Sequence, residues 1–301
     1  MPHPDIDAAV NEPLVAVITR TRDRPRYLAR ARRSVEAQTF GDLIHVIVND
    51  GGDPRSIERV LGTSSPKLQL EHLATSGGRG AAANVGLARS KSTLVVFHDD
   101  DDSWHPQFLE RAVAAWRTTQ RRGVVTASTR LVEREENGEL VELRREPFFP
   151  QLKAISLADV ARENCFVNLA FLAERAAIAV SGGYDEQLPV YEDWDFNLRF
   201  LQRFDVAFVD EVLAHYHHRE DARGEGLGSF AIERARVADA RATLLNRWLR
   251  TPGPVGTLMA LGPTIDAVHG LRERFDKLFN LVHGARQSWP LRTVETWLSK
   301  R

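Results

Sequence analysis

The sequence predicts an α/β fold with a mostly parallel central sheet flanked by helices and a helical region at its C-terminal end. Three observations carry that expectation. Short apolar runs alternate with amphipathic stretches over the first 120 residues. The runs are continuously apolar rather than alternating, as strands covered on both faces are. The pattern turns purely helical after residue 230.

The elements follow in order. LVAVIT (14–19) reads as a strand, and residues 27–38 as a helix that aligns Leu28, Ala31 and Val35. LIHVIVND (43–50), a helix over 54–61 and KLQLEHL (67–73) come next, then a helix over 81–88, the strand TLVVF (93–97) and a helix over 106–116. Beyond residue 120, two stretches flank Asn137-Gly138, a strong hairpin signal. A helix starts near Glu192, and two short apolar runs follow, 205–210 and 212–218. REDARGEGLGS (219–229) reads as a mobile loop, and the final helices are expected to break at Pro252, Pro254, Gly262-Pro263 and Pro290.

Composition narrows the function. The 40 basic and 41 acidic residues of the 301 cancel, so nucleic acid is not expected as the partner, although 35 of the 40 are arginines. The lone Cys165 excludes an intramolecular disulfide framework and reads as a core filler. The N-terminal stretch has no basic and apolar leader pattern, and no apolar window is long enough to span a membrane. The expected setting is cytoplasmic.

In parallel sheets, ligands gather at the carboxyl ends of the strands. FHDDDDSW (97–104) stands at such an end. Four adjacent carboxylates repel one another unless a cation offsets them, and Mg²⁺ typically takes one or two carboxylates plus substrate phosphates. The run therefore reads as a Mg²⁺ or Mn²⁺ diphosphate site. YEDWDF (191–196) places Glu192, Asp193 and Asp195 at a helix start, where a general base is expected. HYHHRED (215–221) reads either as structural or, with Arg219 and Arg223, as the completion of a metal–phosphate site.

Five segments, TRTRDRP (19–25), VIVNDGGDP (46–54), GGRGAAANVGLARS (77–90), VVFHDDDDSWHPQFLE (95–110) and GGYDEQLPVYEDWDFNLRF (182–200), resemble glycosyltransferase family 2 in order and spacing. The resemblance covers residues 13–218 and implies the GT-A fold. It makes residues 1–12 a tail, 13–229 the catalytic domain (nucleotide-binding half 13–120, acceptor half 121–229) and 230–301 a C-terminal helical region. The implied activity is inverting transfer of a sugar from a nucleotide-diphosphate donor, a UDP-sugar being favoured, to a hydroxyl of a glycan or lipid-linked acceptor. Bacterial surface polysaccharide assembly is the implied setting.

The same resemblance assigns roles. Thr21 approaches the base and ribose, and Asp50 accepts from the base N3–H. Asn84 and Gly86 match the helix beneath the nucleotide. Asp101 is the direct ligand of the divalent cation, with Asp99 and Asp100 toward metal, ribose or donor sugar. Asp193 is the base and Glu192 holds acceptor hydroxyls, while His217 or His218 supplies a further metal ligand. Apart from the resemblance, Arg219 and Arg223 on the loop at 219–229 are expected to add positive charge and close over the donor, and Trp194 either stacks on an acceptor sugar or packs in the core. The chain departs from the family at Arg20, Arg22, Asn49 and Ala83, and Arg22 or Arg79 is expected to supply the cation lost at Ala83.

Two alternatives stand beside this reading. One is a non-catalytic nucleotide-sugar or glycan-binding protein, and the other a haloacid-dehalogenase-type phosphotransferase with Asp99 as nucleophile. In the C-terminal region, Leu271, Phe275, Leu278 and Val282 share a helical face. That face is expected to pack on the catalytic half or on a second copy of the chain, with peripheral membrane contact as the alternative.

Overall fold

The structure is a computed structural model and describes residues 12–62, 65–219 and 234–288. The first half alternates as expected: β1 (Val15–Thr21), α1 (Pro25–Glu36), β2 (Leu43–Asn49), α2 (Pro54–Leu61), β3 (Leu68–His72), α3 (Arg79–Arg89) and β4 (Leu94–Asp99). After it come β5 (Ser103–Trp104), α4 (Phe108–Thr119), the hairpin β6 (Gly123–Glu136) and β7 (Glu139–Phe148), and α5 (Leu157–Arg162). β8 (Phe171–Glu174), α6 (Arg175–Ser181), α7 (Glu192–Leu201), β9 (Val206–Arg219), α8 (Arg234–Arg250) and α9 (Pro254–Ser288) complete the order.

The strands form one sheet in the order β3-β2-β1-β4-β8-β6-β9-β5, with β7 on β6. β3, β2, β1 and β4 are parallel. The other half is mixed: β8 is antiparallel to β4 and β6, β5 to β9 and β7 to β6, while β6 and β9 are parallel. A mostly parallel sheet therefore describes the first half only.

The apolar runs bury on both faces because successive side chains point to opposite sides. In β4, Leu94 and Val96 enter a core with Trp104, Phe108 and Trp116, beneath α1 and α4. Val95 and Phe97 enter another, with Ala82, Ala83, Trp194, Phe196, Leu244 and Trp248 from α3, α7 and α8. Gly86 is required where α3 meets the sheet, since a Cβ there would lie 2.4 Å from Ile18 Cγ2. The hairpin turns at Asn137 (φ 51°) and Gly138 (φ 81°), the left-handed pair that suits a tight hairpin.

Two expectations give way. The two runs at 205–218 are one strand, β9. The pairing skips from Thr126↔Val209 to Ala127↔Val212, so the polar pair Asp210-Glu211 is a bulge inside the strand. The second concerns α9, which starts with Pro254 at its first position, as proline favours, and then runs through Gly262-Pro263 without a break. An interior proline costs one backbone hydrogen bond and does not by itself end a helix held elsewhere by packing. Val255 and Met259 are buried at its start, whereas Leu271, Phe275, Leu278 and Phe279 are 52–66% exposed. The expected packing of that face on the catalytic half is absent among the described residues; Val282 and Pro290 lie outside the residues whose side chains are described. No helix among the described residues is long and apolar enough to cross a membrane.

Candidate active site

The site forms where β1, β2 and β4 end. Strand register sets Arg20 beside Asp99 and Thr21 beside Asn49. The four-aspartate run follows β4, and each of its first three carboxylates meets a guanidinium. Arg20 Nη2 lies 2.8 Å from Asp99 Oδ1, and Arg24 Nη1 2.8 Å from Asp100 Oδ1. Arg24 and Arg219 share Asp101 Oδ2, Arg219 at 2.7 Å, while Arg30 donates to the Asp101 carbonyl. Thr21 donates to Asp100 Oδ2 at 2.6 Å. The mutual repulsion of the acids is thus offset within the chain.

The run is not uniform. Burial tends to raise Asp101, but Arg24 and Arg219 outweigh it and hold the carboxyl below the usual range. Burial, reinforced by Asp101 and Asp99, pushes Asp100 up. Asp102 is pushed well up for the same reasons, and it accepts the His217 N–H at 2.8 Å.

A divalent cation fits one way. Among the described residues no group of three or more His, Cys, Asp and Glu converges to hold a metal. Asp101 keeps one oxygen, Oδ1, without a hydrogen-bond partner among the described residues, which suits a cation held by one carboxylate and diphosphate oxygens. His217 is committed elsewhere. Its Nε2 lies 2.8 Å from Ser103 Oγ and its Nδ1 3.0 Å from Glu133 Oε2. Burial lowers its pKa, so the neutral ring takes one role at each nitrogen and has no open position for a metal. His218 follows it on β9 and points to the opposite side of the strand.

The second centre is the first turn of α7. Asp193 Oδ2 accepts from Asn164 Nδ2 at 3.0 Å, and its Oδ1 accepts from the Trp194 N–H at 2.8 Å. Burial, then the Glu192 charge, pushes Asp193 up to about 6, which suits a base at neutral pH. Tyr191, just before the helix, sits at φ 65°, an uncommon conformation for a bulky residue and frequent at functional sites. Glu192 is buried, and both its oxygens bind arginine: Oε1 to Arg20 at 3.2 Å and Oε2 to Arg79 at 3.2 Å. It is therefore an anchor for cations, not the free holder of acceptor hydroxyls expected of it. Arg20 joins the two centres, with Asp99 on one side and Glu192 on the other.

The remaining expected residues divide. Asp50 spends three hydrogen bonds on the loop below it, from Ser76 Oγ, Gly77 N and Gly78 N, so it shapes the rim of the crevice. Asn84 is a bracket: its amide binds Tyr184 O and Glu186 Oε1, and its oxygen accepts the Tyr184 N–H. A Cβ on Gly183 would meet that oxygen at 2.5 Å. Trp194 packs, at 2% exposure, with Nε1 on the Val160 carbonyl at 2.6 Å, so an acceptor-stacking role is excluded for it in this conformation. Arg22 is exposed at the rim, and Arg223 lies outside the described residues.

Sequence reasoning missed Arg24, Arg30, Glu133 and Asn164, and noted Arg20 only as a departure. Arg20 carried a signal, being a charge at the end of a buried strand opposite the acidic run. Asn164 sits in a stretch without periodicity and carried none.

Comparison with known proteins bears on the fold and the family. The model of "Glycosyl transferase family 2" matches residues 15–174. An uncharacterized glycosyltransferase of Nostoc sp. is 35% identical over 113 residues, which is 37% of this chain and 35% of that protein. Succinoglycan biosynthesis protein ExoW of Rhizobium meliloti is 36% identical over 104 residues, 33% of this chain and 32% of that one. The chain spans about a third of the length of the first of the curated relatives it matches. Among solved structures, S. aureus TarS in complex with UDP-GlcNAc superposes with a TM-score of 0.64 at 17% identity, covering 83% of this chain and 71% of that one. Mannosyltransferase PcManGT of Pyrobaculum calidifontis, in complex with GDP-Man and Mn²⁺, gives 0.60 at 16% identity, covering 98% and 85%. These neighbours are GT-A glycosyltransferases. With the acidic run behind β4 inside the matched span and the phosphotransferase alternative thereby removed, the chain belongs to glycosyl transferase family 2.

Proposed function

We propose that this transferase moves a sugar, with inversion, from a nucleotide-diphosphate sugar (UDP-linked in the favoured reading) to a hydroxyl of a glycan or lipid-linked acceptor in bacterial surface polysaccharide assembly. The observation that carries it is the pairing of two centres: a carboxylate run able to take a cation and diphosphate, and a separate carboxylate with a base's pKa, joined through Arg20. A non-catalytic binding role has no use for the second. The relative named for succinoglycan biosynthesis supports the setting.

Mn²⁺ or Mg²⁺ at Asp101 would act as a Lewis acid toward the departing diphosphate. Arg24 and Arg219, already at Asp101, add positive charge where the leaving oxygen turns negative. Asp193 takes the proton of the acceptor hydroxyl. The exposed face of Leu271, Phe275, Leu278 and Phe279 supports contact with a second copy or the inner face of a membrane.

Calorimetric titration with UDP, GDP and dTDP, with and without Mn²⁺, tests the donor site. One nucleotide is expected to bind in a metal-dependent way, and Asp101→Ala is expected to abolish that dependence. Absence of binding by all three would sink the assignment.

The pH profile tests the base. Asp193 works only when ionised, so kcat/KM is expected to fall as pH drops through about 6. Glu192 raises that value by its charge, so Glu192→Gln should move the acidic limb to lower pH. A limb that stays in place in this variant would remove Glu192 as the cause.

A further inference from the structure

Arg20 is buried beneath the crevice, at 8% exposure, with its guanidinium 5.8 Å from the centre of the Tyr184 ring. Both of its ion pairs, to Asp99 and to Glu192, use the same nitrogen, Nη2. Its other terminal nitrogen, Nη1, is buried with no hydrogen-bond partner. A lysine would make two such pairs from a single point; the arginine fork adds a directed donor that neither pair needs. Buried donors are rarely left unpaired, and one that is calls for a physical explanation such as a bound ligand or water.

The surroundings say what that partner is. Asp99 and Glu192 are in contact with Arg20, and Asp193 is close enough to act on it. An anionic group entering there would meet three carboxylates. The diphosphate is drawn to the far end of the run, where Arg24 and Arg219 converge on Asp101. What suits Nη1 is a neutral oxygen placed between the leaving diphosphate and the base, which is where a donor sugar ring lies.

We infer that Arg20 is the donor-sugar residue of this enzyme: Nη1 donates to a hydroxyl or acyl oxygen of an uncharged hexose or N-acetylhexosamine, while Nη2 holds Asp99 and Glu192 in place around it. The inference rests on the proposed donor site and adds the class of sugar and the residue that reads it.

The test separates sugar contact from scaffolding and from the donor-site reading. UDP, UDP-glucose, UDP-GlcNAc and UDP-glucuronate, then GDP and GDP-mannose, are titrated into wild type, Arg20→Lys and Arg20→Met with Mn²⁺ present, with circular dichroism to report folding. Wild type is expected to bind one neutral nucleotide sugar more tightly than its bare nucleotide, and UDP-glucuronate less tightly than UDP-glucose. Arg20→Lys keeps the charge that Asp99 and Glu192 need, so its affinity for the bare nucleotide should match wild type. Its gain from the sugar should shrink by about tenfold, the worth of one charge-assisted hydrogen bond. Arg20→Met should lose the same gain if it folds. The inference is overturned if Arg20→Lys keeps the full sugar gain, if it weakens nucleotide and nucleotide sugar equally, if wild type gains nothing from any sugar, or if glucuronate is preferred. Failure of wild type to bind any bare nucleotide would overturn the donor site itself, and the role of Arg20 with it.

Discussion

Asp193→Asn is expected to lower kcat by about 10²- to 10⁴-fold and to leave metal-dependent nucleotide binding as in wild type. The amide keeps the size of the side chain and still accepts the Trp194 N–H. It cannot take a proton from an acceptor hydroxyl. The proposed nucleotide site lies at the ends of β1, β2 and β4, so a change in the first turn of α7 is expected to leave it as it is. Steady-state transfer assays beside calorimetry check this. A variant that loses nucleotide affinity as strongly as turnover would place Asp193 in the donor pocket instead of opposite it.

The second large effect falls on stability. Asp195 is 2% exposed and collects three donors: Arg199 Nε at 2.8 Å, Arg247 Nη2 at 2.5 Å and Trp248 Nε1 at 3.1 Å. Two of the three come from α8. Asp195→Ala would strip all of them of their acceptor, leaving the Trp248 indole unpaired in the core and two arginines without their shared charge. Losses of this kind sum to about 2–4 kcal/mol, so thermal denaturation should show a midpoint several degrees lower. An unchanged midpoint would mean that the apolar contacts of Leu244 and Trp248 hold α8 unaided.

How much of this was legible beforehand depended on the kind of signal. The strands β1, β2 and β4 announced themselves because burial on both faces demands unbroken apolar runs. α2 was legible to the residue because Asp53 caps it, Pro54 opens it and Gly62, at φ 60°, closes it. β8 and α6 were not, since four buried residues and a seven-residue helix are too short for periodicity to build up. Within the site, adjacency along the chain was readable and pairing across it was not. The acidic run and the α7 turn stood out as clusters. That Glu192 would be captured by Arg20 and Arg79, from segments 172 and 113 positions away, depends on the three-dimensional fold. His217 shows the converse: its spacing suggested a ligand, and Glu133 on the neighbouring strand claimed its ring.

Asp193, the proposed base, is held from two directions by residues outside its own helix. Asn164, just past α5, holds the Asp193 carboxylate, and the indole of Trp194 is tied to the α5 carbonyl of Val160. On the other side of the same helix turn, α8 holds Asp195, and α9 packs on both α5 and α8. The position of the proposed base therefore depends on packing well outside the crevice. A lineage that drifts toward a new acceptor can rebuild its rim loops freely, but Arg247, Trp248 and the start of α9 would have to change in concert, because an altered helix there is inherited as an altered base.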